Sequence, residues 1–203
     1  AKYQNVCHRQ HQEDFCQATS HPTKEKYQSE GGPSAQDIIR CMRSNNLGQA
    51  DIEQFYMALI INFLIAGTDA HAKNYALLEP TGAKPSFAPL YDIASMYAYE
   101  TQRKHRKLAM SIGGEYNYER IELRHWQKLT APFDAEDFDF CCSTLKEFSQ
   151  KIPLAFIAAS INCMQQVTRY DFDSDAPINK KRVLTNIFKG ITEQCERVEA
   201  WFD

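Results

Sequence analysis

The segment from Asp51 to Gly67 constrains the fold more than any other part of this 203-residue chain. Its apolar residues recur on nearly every side of the helix that their spacing predicts, so this helix must be central. The longest apolar run, 55–67, is interrupted by Asn62 and is shorter than the roughly 18–20 residues that a membrane span needs. Asp51 is the predicted N-cap, and Gly67 is the predicted end.

Further helices are expected around this one, which predicts a mainly α fold of the α+β class. Ser34 is a candidate N-cap for a helix of about ten residues, and Asp134 is a candidate N-cap for a helix over 135–150. Pro153 suits the first turn of a separate helix that follows. Asn179 is expected to cap the last helix, in which apolar residues recur at helical spacing.

One small β-hairpin is predicted directly after the central helix and its loop. Residues 75–78 form the candidate first strand, Pro80-Thr81-Gly82 the turn, and 86–90 the return strand. Near the N-terminus, residues 12–19 are expected to form a short helix within an irregular, polar region. The whole chain, 1–203, is interpreted as a single domain.

The composition excludes several classes of protein. With 43% hydrophobic residues the chain is too apolar to be disordered. Its net charge of −3 argues against a protein that coats nucleic acid through general positive charge. The seven cysteines show no C-x-x-C spacing, which favours reduced thiols in a cytoplasmic protein over a zinc site or a disulfide framework.

The loop Thr68–Tyr75 carries the candidate chemistry. Asp69 and Asn74 are five residues apart, the spacing of kinase catalytic loops in which the Asp accepts the hydroxyl proton and the Asn holds Mg²⁺. The hairpin returns the chain toward the loop, so Asp92 is expected beside Asn74, where both offer oxygen ligands to Mg²⁺. Residue by residue, a plain interpretation also exists, in which Asp69 caps a turn, Asn74 occupies a left-handed turn position, and the charged side chains are solvated.

Six blocks of the sequence form a distinctive ordered set. They are His11-Gln-Glu-Asp-Phe-Cys-Gln-Ala18, Lys26-Tyr27, Gly31-Gly-Pro33, Thr68-Asp-Ala-His-Ala-Lys-Asn-Tyr75, Pro89-Leu-Tyr-Asp92 and Lys107-Leu-Ala-Met110. Together they closely resemble the C-terminal lobe of HipA-like serine/threonine kinases, the toxins of bacterial toxin–antitoxin pairs. The blocks follow the family's order across most of residues 8–126, and the remaining helices fit the rest of that lobe.

The resemblance implies a protein-kinase-like C-lobe, with ATP and Mg²⁺ as its cofactors. Asp69 matches the catalytic base, and Asn74 and Asp92 match the Mg²⁺ ligands. The residues implied to line the nucleotide site are His71, Ala72, Lys73, Asn74, Tyr91 and Asp92.

The resemblance also implies partners. The family phosphorylates protein Ser/Thr hydroxyls, in the HipA type those of an aminoacyl-tRNA synthetase, the glutamyl enzyme. A DNA-binding antitoxin, and operator DNA through it, are implied as well.

The sequence departs from a complete kinase of this type. Gly31-Gly32-Pro33 is not a G-x-G-x-x-G loop, and no V-A-I-K-like strand precedes Asp69. We therefore expect a C-terminal lobe without its N-terminal lobe, inactive on its own. Ile93 and Ala94 follow Asp92, so a D-F-G-type flip has no support in the sequence.

Two other functions are consistent with parts of this pattern. Small-molecule kinases of the aminoglycoside-phosphotransferase type share the D-x-x-x-x-N spacing. A non-catalytic module that contacts an antitoxin or operator DNA is the second alternative, and the basic run Arg103–Lys107 is either its contact or a solvated loop. His8 and His11 are more simply solvated residues than a metal pair. The kinase interpretation requires Asp69, Asn74 and Asp92 to converge on one cleft.

Overall fold

The structure is a computed structural model that describes residues 10–99, 106–166 and 176–203. Its helices are α1 (Phe15–Ala18), α2 (Ala35–Ser44), α3 (Gln49–Leu64), α4 (Leu123–Thr130), α5 (Ala135–Gln166) and α6 (Ala176–Glu199). Its strands are β1 (His11–Asp14), β2 (Ala76–Glu79), β3 (Ser86–Phe87), β4 (Lys107–Ile112) and β5 (Glu115–Asn117). The prediction of a mainly helical fold with little β structure is confirmed.

Helix α3 forms the centre of the core, as its apolar sequence predicts. Most of its side chains are buried, and it packs against α5, α6 and β3. Its N-cap is Gly48 rather than Asp51. Asp51 lies in the first turn instead, where its carboxylate accepts hydrogen bonds from the Gly48 amide at 3.1 Å and the Phe87 amide at 2.8 Å. Asp51 therefore joins the first turn of α3 to strand β3.

Local capping determines where α2 begins. Ser34 is its N-cap, as predicted, and the Ser34 hydroxyl accepts a hydrogen bond from the Asp37 amide at 3.2 Å. The Asp37 carboxylate in turn accepts a hydrogen bond from the Ser34 amide at 3.0 Å, which completes a capping box. Because every contact lies within four residues, this helix start is readable from sequence.

The β structure is larger than the sequence predicts. Strands β1, β2 and β3 form an antiparallel sheet in that order, and β4 and β5 form a second hairpin. The expected helix over 12–19 is wrong in its first half, because His11–Asp14 pairs with Ala76–Glu79. Asp14 ends β1 and caps the short α1 with Gln17. This strand is polar, and its existence depends on a partner more than 60 residues away.

Helix α5 is continuous through Pro153, so the predicted break between two helices is wrong. A proline inside a helix removes one backbone hydrogen bond and costs about 3 kcal/mol. Packing offsets this cost, because α5 and α6 lie against each other along much of their lengths and Phe156 stacks on Phe188 at 6.5 Å. The candidate cap Asn179 lies inside α6, which begins at Ala176.

The cysteines in the described residues are all free thiols, which agrees with the sequence prediction. Among the helices of the described segments, none has the length and hydropathy to cross a membrane.

Candidate active site

The polar loop leaves α3 through a tight bend. The Gly67 amide donates to the Asn62 carbonyl at 2.7 Å, and a side chain at Gly67 would collide with the Asn62 amide group. Asn62 also donates from Nδ2 to the Tyr75 hydroxyl at 3.1 Å. The one polar residue in the apolar run thus holds both ends of the loop 67–75.

Three separate segments hold the backbone of this loop, and a fourth holds the residue that precedes it. The Ala109 amide of β4 donates to the Thr68 carbonyl at 3.0 Å, and the Ala72 amide donates to the Lys26 carbonyl at 3.3 Å. The Met96 amide donates to Ala66 at 3.0 Å, and the Tyr91 hydroxyl donates to the Lys73 carbonyl at 2.6 Å. Because other segments satisfy the loop's backbone groups, its side chains are left available for chemistry.

Asp69 and Asn74 are brought together directly. Asn74 Nδ2 donates to the Asp69 carbonyl at 3.0 Å, and this bond fixes the Asn74 side chain. Asn74 is also largely buried, at 7% exposure. The Asp69 carboxylate is exposed, and its Oδ1 accepts a hydrogen bond from the Tyr27 hydroxyl at 2.7 Å. Within the described residues no donor reaches Asp69 Oδ2 or Asn74 Oδ1.

Asp92 lies in the same neighbourhood but does not touch Asn74 in the described contacts. The Tyr91 hydroxyl bond to Lys73 fixes the preceding residue, and Asp92 has a left-handed backbone with φ +55°. Aspartate tolerates this conformation better than most residues, and such strain is often found at functional sites. The charge of Asp92 acts on His71 and on Tyr91, whose pKa is raised by burial, then by Asp14 and Asp92.

His71 is buried, and the charges of both carboxylates act on its pKa. It is 5% exposed, its ring meets the Tyr27 ring edge-on at 5.2 Å, and Nδ1 has no hydrogen-bond partner in the described structure. Burial, followed by the positive charge of Lys26, lowers the pKa of His71, although Asp69 and Asp92 partly oppose this. The lowered pKa favours the neutral form of His71, and Nδ1 is a buried ring nitrogen without a partner among the described residues.

The other two predicted nucleotide-site residues are less available. The Lys73 ammonium lies 3.7 Å from the Asp14 carboxylate at the end of β1, so its charge is already paired. Ala72 is fully buried, and its amide is used by the Lys26 carbonyl.

The oxygen atoms at this site are suited to a Mg²⁺ ion that also binds phosphate and water. They do not suit a metal ion that is held by protein side chains alone. Asn74 Oδ1 and the Asp92 carboxylate are hard oxygen ligands, which Mg²⁺ prefers. In the described segments no three His, Cys, Asp or Glu side chains come together as a metal site. Two protein oxygens fit an ion whose remaining ligands are phosphate and water, which is the usual arrangement in phosphoryl-transfer enzymes.

Sequence reasoning missed three contributors to the site. Tyr27 contacts Asp69, Asp14 pairs with Lys73, and Asn62 frames the loop. Asn62 had a signal, since it interrupts an apolar run. Tyr27 lies in a resemblance block but had no assigned role.

The basic run Arg103–Lys107 is only partly described. Its first three residues, and His8, lie outside the described residues. Arg106 is buried and lies over the Tyr97 ring at 5.0 Å, and Lys107 is exposed at the start of β4, so this end of the run is not a solvated loop.

One protein family and two curated proteins match parts of this chain in sequence. The family described as HipA-like C-terminal domain matches residues 2–171. A putative kinase of Sinorhizobium fredii, Y4mE, is 39% identical over 123 residues, which are 60% of this chain and 29% of that protein. A second, Y4dM, is 36% identical over 50 residues, or 25% of this chain and 12% of that protein.

A solved structure shares the fold. It is the Shewanella oneidensis MR-1 toxin–antitoxin system of HipA, HipB and operator DNA, and it superposes with a TM-score of 0.75 at 19% identity. The match covers 99% of this chain and 47% of the other. The chain thus spans less than half the length of each of these relatives.

Proposed function

The chain belongs to the HipA-like C-terminal domain family, and we propose that it is the catalytic lobe of an ATP- and Mg²⁺-dependent kinase that phosphorylates a protein Ser or Thr hydroxyl. One observation carries this proposal. The Asn74 side chain is bonded to the Asp69 backbone at 3.0 Å, while Asp69 Oδ2 and Asn74 Oδ1 both stay unengaged by the described residues. The proposed base and the proposed metal ligand are thus neighbours, which supports an arrangement suited to phosphoryl transfer.

Asp69 is the proton acceptor in the proposed reaction. The acceptor hydroxyl oxygen attacks the γ-phosphorus of ATP, and the bond from that phosphorus to the β–γ bridging oxygen breaks. ADP leaves with the bonding electron pair, and the hydroxyl proton passes to Asp69 Oδ2. Little covalent chemistry is asked of the protein, so correct placement of the carboxylate is its main contribution.

Asn74 Oδ1 and Asp92 are the proposed ligands of Mg²⁺, which when bound neutralises negative charge on the ATP phosphates. His71, Ala72, Lys73 and Tyr91 are proposed to line the nucleotide. His71 contributes a buried ring with a lowered pKa, and the Lys73 ammonium, which lies 3.7 Å from the Asp14 carboxylate, reaches a phosphate only by leaving this ion pair. Tyr91 contributes mainly by fixing the loop through the Lys73 carbonyl.

We further propose that residues 1–203 act as one C-terminal lobe, with the rest of the nucleotide clamp in an N-terminal lobe beyond this sequence. The isolated chain should then transfer phosphate slowly or not at all. The partners proposed are a protein substrate, for example an aminoacyl-tRNA synthetase, and an antitoxin with operator DNA. The complex of HipA with HipB and operator DNA in the Shewanella structure supports the second.

The test is γ-phosphate transfer from labelled ATP by the full-length protein. Asp69→Ala should lower kcat by about 10²–10⁴, the usual contribution of a general base. Asp92→Ala should also lower the rate, because the Mg²⁺ ion loses one of its two proposed protein ligands. Asp139→Ala is the matched control, because Asp139 is exposed on α5 away from the loop. Full activity in Asp69→Ala would refute its role as base.

The choice of acceptor separates the kinase classes. Transfer to aminoglycosides or other small alcohols, with none to protein, would replace this proposal with the small-molecule alternative. No transfer by any form of the full-length protein would favour the interaction module.

A further inference from the structure

The hydrogen bond between Tyr27 and Asp69 joins residues 42 positions apart. The Tyr27 hydroxyl donates to Asp69 Oδ1 at 2.7 Å, and this is the one side-chain contact that the described residues give to the carboxylate. An exposed carboxylate otherwise rotates among several orientations. The bond therefore selects one orientation and leaves Oδ2 as the free oxygen.

The backbone on either side of Tyr27 is fixed to the catalytic region. The Lys26 carbonyl accepts from the Ala72 amide, inside the loop that carries Asp69 and Asn74. The Gln28 side chain accepts from the Ser111 amide of β4 at 2.8 Å. Tyr27 thus lies between two anchors, each on a segment that frames the loop.

A tight turn after Tyr27 adds a third restraint. The Tyr27 carbonyl accepts from the amides of Glu30 and Gly32, both at 3.0 Å. A side chain at Gly32 would collide with the carbonyl of Glu25 and crowd that of Tyr27, so the turn closes only around glycine. This gives the Gly31-Gly32-Pro33 block a structural role.

The aromatic ring is also held in place. His71 meets it edge-on at 5.2 Å, and the Lys26 ammonium lies 5.0 Å from its centre. The hydrogen bond to Asp69, followed by burial, raises the pKa of Tyr27 to about 12, so the phenol keeps its proton and acts only as a donor.

We propose that Tyr27 is a positioning residue for the kinase reaction: its fixed hydroxyl holds Asp69 Oδ1 so that Oδ2 faces the incoming hydroxyl. This inference rests on the proposed function, because it assigns a task to Tyr27 only if Asp69 is the base. Tyr27 itself exchanges no proton with substrate. It acts through the geometry of the carboxylate, which determines how often the acceptor and base are aligned.

The test is Tyr27→Phe in the full-length protein, which removes the hydroxyl and keeps the ring between His71 and Lys26. We expect kcat to fall about tenfold or more, as for loss of a hydrogen bond to a charged group. The KM for ATP and the Mg²⁺ dependence should not change. Tyr116→Phe is the control, since Tyr116 is a half-buried tyrosine on β5 without a described bond to the site, and it should keep the wild-type kcat.

The pair of variants shows whether Tyr27 acts through Asp69. In an Asp69→Ala background, Tyr27→Phe should change the residual rate less than twofold, because no carboxylate is left to orient. A further tenfold loss in that background would overturn the proposal. An unchanged kcat in Tyr27→Phe, with activity lost in Asp69→Ala, would overturn this inference and leave the proposed function intact.

A second measurement tests the opposite role for the same contact. If the Tyr27 hydroxyl occupied the place of the acceptor, Tyr27 would itself receive phosphate. Tandem mass spectrometry of the full-length protein after incubation with Mg²⁺ and ATP should find no phosphate on Tyr27. Stoichiometric phosphotyrosine at position 27 would contradict the positioning role.

Discussion

Asp69 and Asp137 are two aspartates with similar first partners and opposite surroundings. Each accepts a hydrogen bond from a tyrosine hydroxyl, Tyr27 at 2.7 Å for Asp69 and Tyr56 at 3.1 Å for Asp137. Asp137 is fully buried, and it also accepts from Arg43 at 2.7 Å and from Gln49 at 3.0 Å. Asp69 is exposed and keeps one oxygen open.

The surroundings of an aspartate determine whether its carboxylate stabilises the fold or is left open for chemistry. In Asp137 both carboxylate oxygens have protein partners, so its negative charge contributes to packing between α2, α3 and α5. Around Asp69, other segments hold the backbone of the loop, and only one of the two carboxylate oxygens, Oδ1, accepts a hydrogen bond from the described residues. A carboxylate with an open oxygen beside an open amide oxygen is suited to accept a proton near a metal ion.

Replacing the buried aspartate, Asp137, should have the strongest consequence of the changes considered. Asp137→Ala leaves the buried Tyr56 hydroxyl without its acceptor, whereas Arg43 keeps its bond to Asp134, so we expect the free energy of unfolding to fall by about 2–3 kcal/mol. Asp69→Ala, which removes an exposed carboxylate, should change it by less than about 1 kcal/mol. Urea denaturation of both variants measures the difference.

The matched control replaces the ion pair with apolar groups of similar size. Arg43→Met with Asp137→Leu should recover part of the stability that Asp137→Ala loses, because the leucine fills the cavity although the Tyr56 hydroxyl still lacks its acceptor. Equal stabilities for Asp137→Ala and Asp69→Ala would show that the contrast between the two carboxylates is not real.

A weaker effect is expected at Asp92, the second proposed ligand of Mg²⁺. Asp92→Asn keeps an oxygen ligand but removes its negative charge, so the Mg²⁺ concentration for half-maximal phosphate transfer should rise about tenfold. The measurement is a Mg²⁺ titration of the full-length protein at saturating ATP. Asp139→Asn removes an exposed charge elsewhere and should leave the curve in place, whereas equal shifts in both variants would indicate a general charge effect.

The smallest effect is a pH dependence at His71. Its pKa lies below the ordinary value of 6.5, so as the pH falls below about 6.5 the unfolded chain binds a proton that the folded chain does not. The stability contributed by neutral His71 is thus present above pH 6.5 and is lost as the pH falls toward the lower folded pKa.

Thermal melts at pH 7.5 and pH 5.5 measure this slope. The wild type should lose more stability over this interval than His71→Gln, which cannot titrate. His11→Gln changes an exposed histidine and should behave as the wild type does. A wild-type slope no steeper than that of His71→Gln would contradict the assigned environment.

Those parts of the fold that depend on neighbours in sequence were predictable. Ser34 caps α2 through contacts within three residues, and the apolar pattern places α3 in the core. Strand β1 was not predictable, because its polar residues form a strand only when β2 is alongside. Pro153 was misinterpreted for the same reason, since packing of α6 on α5 outweighs a local penalty.

The candidate site divides in the same way. The spacing of Asp69 and Asn74 is local, and the structure joins them by a hydrogen bond. Asp92 was expected nearby through the hairpin, and its charge does reach His71, but no described contact links it to Asn74. Tyr27 could not be assigned from spacing, because its contact with Asp69 closes a long loop whose geometry depends on the anchors at Ala72 and Ser111.

The central claim is that Asp69, Asn74 and Asp92 form one phosphoryl-transfer site. The most direct measurement is a crystal structure of the full-length protein with Mg²⁺ and a non-hydrolysable ATP analogue. We expect an ion at about 2.0–2.1 Å from Asn74 Oδ1 and an Asp92 oxygen, completed by phosphate and water, with Asp69 Oδ2 facing the γ-phosphate. Nucleotide bound with its ion on other side chains, and with Asn74 and Asp92 directed away from it, would refute a shared site for these three residues.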